Sequence, residues 1–399
     1  MKKYFGPSTL IAAAFIGPGT VTMCTIAGAN TGYSLLWALV LAVCITIVFQ
    51  EMAARLGFIT GAGLGEAIRS AEIKGGSKII FTLIVTGAIL IGNAAYEAGN
   101  LSGAVLGVEL LVGKLKIIPL VLGAIASIFL LAGNYKWVEK LLIALVLTMS
   151  LCFLISAIMV KPNISELLRG FVPFLSIGKV DYLLIIGIIG TTVVPYNLFL
   201  HASSISEKWN PAENSISDIR TENRVAIILG GLVSACILIT AGTTLFEQGS
   251  FTGLEGFARQ LEPIFGSFAK YIMAVGFFAA GLSSAITAPL AAAYAARGLF
   301  GWEKNWKDKR FIFVWLSIII IGVLFSSLGF KPILIIKFAQ VANGILLPII
   351  AIFLLYIVNQ SSIMGEHVNS KSRNIGAIIM VVSISFIALR SLLKVFGIV

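Results

Sequence analysis

The sequence predicts an all-α integral membrane protein of about eleven transmembrane helices, and three observations carry that prediction. Only 12% of the residues are charged and 58% are hydrophobic, with a mean hydropathy of +1.00; a soluble chain carries roughly 25% charged residues. Apolar runs of about 20 residues, long enough to cross a bilayer, recur throughout the 399 residues. Two of those runs are broken near their middles by proline.

The first run, 8–30, follows Lys2 and Lys3 and starts as an ordinary span. Its opening, "TLIAAAFIG", has the outline of a secretory leader, but later spans make a cleaved leader unnecessary. Gly17-Pro18-Gly19-Thr20 then interrupts it. Glycine is entropically poor in a helix, and proline removes a donor and clashes with the preceding turn. The second run, 33–54, is uninterrupted, whereas the third, 78–110, is too long for one upright crossing and must tilt or extend past the bilayer. Runs 117–132 and 138–160 are plain spans. The sixth, 181–206, contains "IGTTVVPYNLFLHASS", where Pro195 and Asn197 repeat the anomaly of the first. Run 221–245 is plain, and 264–296 is again over-long. Runs 311–328, 333–358 and 374–396 complete the set.

Charge sets the expected orientation. The formal charge is +11, from 29 basic and 18 acidic residues, but the basic residues lie in short loops rather than in a nucleic-acid patch. The larger share, among them Lys2, Lys3, Arg55, Arg69, Lys208, Arg224, Lys309 and Arg373, falls on the side of the N-terminus. The positive-inside rule then places the N-terminus in the cytoplasm and the C-terminus outside a plasma membrane. Cys24, Cys44, Cys152 and Cys236 sit in apolar runs without metal-site spacing and read as buried thiols. No P-loop, nucleophile elbow, metal triad or dinucleotide fingerprint appears, so neither an enzyme nor a cofactor is expected.

The interrupted spans are five helices apart, the arrangement of two five-helix repeats of inverted topology. The repeats are placed at 1–160 and 161–358, with 359–399 as a peripheral eleventh helix. Unwound backbone at membrane depth is tolerated only where it is buried in protein or lines a cavity. The paired breaks are therefore read as a ligand site at the midplane rather than as two unrelated proline kinks.

Three stretches also carry a family resemblance. "GPGT…GANTGYSLLW", "TTVVPYNLFLHASS" and "AAGLSSAITAPLAA" resemble the first, sixth and eighth spans of the Nramp family of divalent-metal transporters, over about residues 8 to 358. The resemblance implies a LeuT-type fold with ten core helices and one peripheral helix. It departs from the family at the expected ligands. The family's Asp-Pro-Gly-Asn stands here as Gly17-Pro18-Gly19-Thr20, and its Met-Pro-His as Val194-Pro195-Tyr196. Of two acidic positions tied to the family's proton pathway, one falls at Ala94 and the other matches Glu97; the histidine of "NLFLH" is His201.

On these residues the expected activity is secondary active transport by alternating access, coupled to protons. A divalent ion at the midplane needs strongly coordinating ligands because its desolvation is expensive. The breaks offer only Thr20, Asn197 and backbone groups, and the N-terminal half-helices favour an anion. A small carboxylate, amino-acid-like or other small anionic solute is therefore the expected substrate. The first alternative is a divalent cation (manganese, iron or magnesium) at an atypical site, and the second is a channel. Gly17, Pro18, Gly19, Thr20, Val194, Tyr196 and Asn197 are the candidate substrate residues, joined by Ser284, Gln340 and Asn343. Ser283, Ser284 and Thr287 share a helix face and serve equally well as glue between helices. Glu97 is a candidate proton carrier, with a structural hydrogen bond to Asn93 or Asn100 as the plainer reading. His201 suits a proton relay or a satisfied core position, and His367 is expected to be solvated. The expected partners are the solute or ion, a coupling proton and the bilayer, with no nucleic acid.

Overall fold

The computed structural model describes residues 16–71, 77–133, 136–173, 181–209, 215–246, 255–303 and 305–398. The would-be leader and the first half of the first span, residues 1–15, lie outside them. Among the described residues, nine helices are long and apolar enough to cross a membrane. Counting the sixth span once, they are joined by the shorter apolar helix 118–132 and the described half of the first span, which matches the eleven runs read from the sequence.

The chain enters at a bend over Ile16 and Gly17 and turns at once into α1, Pro18–Thr31. Proline suits the first helical turn because its missing N–H would be unpaired there anyway. α2 (Leu36–Thr60) ends at Gly61 in the left-handed region, which glycine adopts without penalty. After the short α3 (Leu64–Ser70), α4 (Ser77–Val112) runs for 36 residues. α5 (Ile118–Ala132) and α6 (Lys136–Met159) complete the first half. α7 (Ile164–Arg169) leads to the sixth span, which is two helices: α8 (Tyr182–Thr192) and α9 (Pro195–Lys208). α10 (Ile216–Thr244) starts with a capping box between Ser215 and Asp218. Two short helices, α11 (Glu255–Arg259) and α12 (Glu262–Phe265), precede α13 (Phe268–Phe300), the second over-long helix at 33 residues. α14 (Lys309–Ser327), α15 (Pro332–Ile357), α16 (Ser361–Met364) and α17 (Lys371–Val395) finish the chain.

Small residues let the long helices touch backbone to backbone, which is how helices associate where lipid supplies no hydrophobic drive. A side chain at Gly281 of α13 would collide with the backbone of Ala104 on α4. Likewise, Gly190 of α8 is pressed onto Gly344 of α15. Large apolar residues such as Ile79, Ile91, Phe313, Leu324 and Ile378 are exposed on the outside, as a lipid-facing belt requires. One expectation fails there. Cys44 is exposed, not buried; Cys24, Cys152 and Cys236 are buried as expected. An apolar run in a membrane helix is apolar on every face, so composition alone does not say which side meets protein.

Candidate functional site

The two breaks are built differently from similar parts. At the first, Gly17 is extended (φ −101°, ψ −176°) and caps α1 without any side-chain hydrogen bond. Pro18 packs so closely on Gly103 of α4 that a side chain there would overlap its ring. Gly19 faces the carboxamide of Gln340 on α15, again with no room for a Cβ. At the second break, α8 ends at Thr192 and Val193 leaves the helical region (φ −107°, ψ 77°). Pro195 begins α9 and carries no N–H, so the Thr191 carbonyl, four residues back, loses its helical donor.

A hydrogen bond joins the breaks. Thr20 Oγ1 and Thr191 Oγ1 lie 2.9 Å apart, although 171 positions separate them in sequence. Gln340 lies between this junction and α4, with Gly99 on its far side. Thr20, Val194 and Asn197 have no solvent exposure, and Gln340 and Asn343 have 1%. Several buried polar atoms of these residues have no hydrogen-bond partner among the described residues: Oδ1 and Nδ2 of Asn197, Oε1 of Gln340 and Nδ2 of Asn343. Buried polar atoms are nearly always paired, so these carboxamides carry unmet hydrogen-bonding capacity.

The other candidates are distributed around that junction. Val194 and Tyr196 sit in a small apolar cluster with Tyr96, Leu200, Ala288 and Ala291. The Tyr196 ring lies 5.4 Å from the Tyr96 ring at 60°, so it is held by packing. Asn343 approaches Gly92 of α4. Ser284 is buried on α13, whereas Thr287 donates to the Ser283 carbonyl of its own helix at 2.9 Å.

Glu97 is fully buried and turned toward α14, where its Cγ meets Gly322. One carboxylate oxygen accepts from Asn100 Nδ2 at 3.5 Å; the other has no partner among the described residues. Asn93 instead donates to the Ile89 carbonyl of its own helix at 2.9 Å. His201 Nδ1 is 2.7 Å from Gln50 Oε1, a pair in which the ring N–H donates to the amide oxygen. His367 is exposed, as expected of a solvated loop residue.

Sequence reasoning missed three of these partners. Thr191 could have been found from its place directly before the break in "TTVVPY", and Gln50 from being an amide within an apolar run. Tyr96 carried no such signal, because an aromatic in a membrane helix is ordinary.

With the geometry in place, comparison with other proteins bears on what the breaks carry. The divalent metal cation transporter MntH of Nostoc sp. is 29% identical over 389 residues, covering 92% of this chain and 86% of the relative. MntH of Bradyrhizobium diazoefficiens is 27% identical over 388 residues, covering 92% and 83%. Among solved structures, a mutant of the Eremococcus coleocola manganese transporter superposes with a TM-score of 0.80 at 21% identity, covering 99% of this chain and 87% of that one. The transporter MhsT in complex with L-phenylalanine matches with a TM-score of 0.61 at 18% identity, covering 98% and 97%. Together these show the LeuT-type fold, and among the described residues the sixth span is broken into two helices.

The comparisons overturn the expected substrate. Relatives matched over nine-tenths of the chain are named for divalent cations, and the small-anion reading is withdrawn. That reading rested on the N-termini of the half-helices and neglected the C-terminus of α8. The carbonyl end of that helix presents partial negative charge to the same break. The match to the family of natural resistance-associated macrophage protein-like (Nramp) proteins runs from residue 8 to residue 394, and this multi-pass membrane transporter belongs to that family.

Proposed function

We propose that this chain carries a divalent metal cation across the plasma membrane by alternating access, binding it between the two breaks with neutral oxygen donors. The observation that carries this reading is the Thr20–Thr191 junction at the carbonyl end of α8, with the Gln340 carboxamide, its Oε1 unpaired, against the neighbouring Gly19. Thr20, Asn197, Gln340 and Asn343 are the proposed side-chain ligands. Gly17, Pro18 and Gly19 allow close approach, while Val194, Tyr196 and Ser284 shape the walls. Among the described residues, no group of three or more His, Cys, Asp or Glu could hold a metal. A dehydrated ion would therefore leave its charge uncompensated at high cost. A hard ion that keeps part of its water shell suits such donors: magnesium retains several waters, and carbonyl and water ligands suit magnesium, calcium and manganese. The relatives' names support a divalent cation independently.

In the same reading Glu97 carries the coupling proton and His201, oriented by Gln50, relays it. The N-terminus is cytoplasmic and the C-terminus external, as the loop charges favour. Helices from residues 1–160 and 161–358 form the inverted repeats, with 359–399 peripheral.

The deciding experiment is uptake of magnesium, manganese and calcium into proteoliposomes holding the purified chain, with and without an inward proton gradient. Saturable uptake of at least one ion is expected, and the proton gradient should stimulate it. Its absence for all three ions would remove the proposal, and steady single-channel currents would replace the carrier by a channel. In Glu97→Gln, which keeps shape but cannot exchange a proton, uptake should continue without stimulation by the gradient. Retained stimulation would leave His201 as the next proton carrier to test.

A further inference from the structure

A second polar site lies along the second half of α2, beside the first turns of α10 and α17. There a cavity of about 300 Å³ is lined by Arg220, Arg224 and Arg373, with Glu51 and Asn223. Glu51 is doubly engaged: Arg220 Nε donates to Oε1 at 2.9 Å and Arg55 Nε at 3.2 Å. Arg55 is 1% exposed and also donates to the His367 carbonyl and to Asn369. Arg224 and Arg373 are exposed and make no ion pair among the described residues. Asp218 on the same helix is engaged in capping it through Ser215, and Glu222 does not line the cavity. Several guanidiniums thus surround one carboxylate that is already shared.

A buried acceptor accompanies this positive charge. Asn223 donates through Nδ2 to the Ile47 carbonyl at 3.1 Å, while its Oδ1 is buried with no partner among the described residues. The cavity's floor is apolar, from Ile47 and Val48. Further into the membrane the same two helices expose Ile228 and Leu229 on α10 and Ile378 and Ile379 on α17. A charged head and an apolar path are therefore offered together. Guanidinium pairs match phosphate oxygens in a fixed fork geometry, and basic pockets between transmembrane helices on the cytoplasmic side bind anionic head groups.

We propose that this cavity binds an anionic phospholipid with a hydroxylated head group, of the phosphatidylglycerol kind. Arg224 and Arg373 hold the phosphodiester, and Asn223 Oδ1 accepts from a head-group hydroxyl. The acyl chains lie along α10 and α17, so the lipid fastens the peripheral α17 to the core. The proposal is independent of which ion the breaks carry.

The test uses the full chain in detergent, titrated with phosphatidylglycerol or phosphatidylcholine and followed by melting temperature and by lipid retention in native mass spectrometry. Phosphatidylglycerol should act at a concentration about tenfold lower than phosphatidylcholine, the scale of one charge-assisted contact. The double variant Arg224→Gln with Arg373→Gln changes two exposed side chains, so it should melt like wild type in phosphatidylcholine and lose the preference. Arg224→Lys with Arg373→Lys, which keeps charge without the fork, should retain part of it. Equal response of the wild type to both lipids, or an undiminished preference in the folded Gln variant, would overturn the proposal. An equal shift with inorganic phosphate would also overturn it, by showing an anion site that needs no lipid.

Discussion

The first break and the second solve one problem with different means. Both place a proline in the first turn of the helix that follows, and both are buried. The first is packed through glycines on both sides: Gln340 rests on Gly19 of the break, and Pro18 of the break rests on Gly103 of α4. The second is flanked by larger side chains that hold themselves in place, with Val194 and Tyr196 packed round Tyr96. It presents the carbonyl end of α8 and leaves the carboxamide of Asn197 without a partner among the described residues. On the proposed reading the first break contributes Thr20, the second contributes Asn197 and the carbonyl end of α8, and α15 adds Gln340 and Asn343. The cation site proposed above accordingly uses neither a carboxylate at Gly17 nor a sulfur at Val194.

Substitutions test that division of labour, beginning with the largest expected effect. Gly19→Val drives a branched side chain into the Gln340 carboxamide. Overpacking costs about 1–3 kcal/mol, so uptake should fall by up to ~100-fold, while the melting temperature in detergent shows whether the fold survives. Near-normal uptake would mean that Gln340 has no part in the site. Asn197→Leu removes the second break's free carboxamide at similar volume and should weaken the apparent cation affinity about tenfold. An unchanged affinity would move the donors elsewhere.

Gly17→Asp works in the opposite direction. Gly17 has a negative φ that any residue adopts, and a carboxylate beside the ion should tighten divalent binding about tenfold, chiefly for manganese. Weaker binding in a folded Gly17→Asp protein would break the cation reading directly. The smallest effect belongs to the junction itself. Thr20→Val and Thr191→Val should each cost on the order of 1 kcal/mol, and the double variant should cost less than their sum. Strict additivity in isothermal binding would show that the 2.9 Å contact between these hydroxyls carries no coupling.

Much of this molecule was legible in the order of its residues. Eleven apolar runs, the over-long third and eighth, and the breaks at Gly17-Pro18 and Pro195 all follow from local rules: an apolar run long enough to cross a bilayer, and proline without an N–H. Family membership rested on short stretches such as "NLFLH" and "GLSSAIT", and the match over residues 8–394 bears it out. Only the tertiary structure decided which of these groups meet. The approach of Thr20 to Thr191, of Gln340 to Gly19 and of His201 to Gln50 crosses more than 100 positions each time, as does the gathering of Arg220 and Arg373 about Glu51. A membrane helix is apolar on every face, so its periodicity does not reveal which side packs against which neighbour. That choice falls to close-packed small residues and a few polar contacts. The same physics exposes Cys44 to the lipid side while burying three other cysteines from equally apolar runs, and it turns Glu97 toward Gly322 of α14.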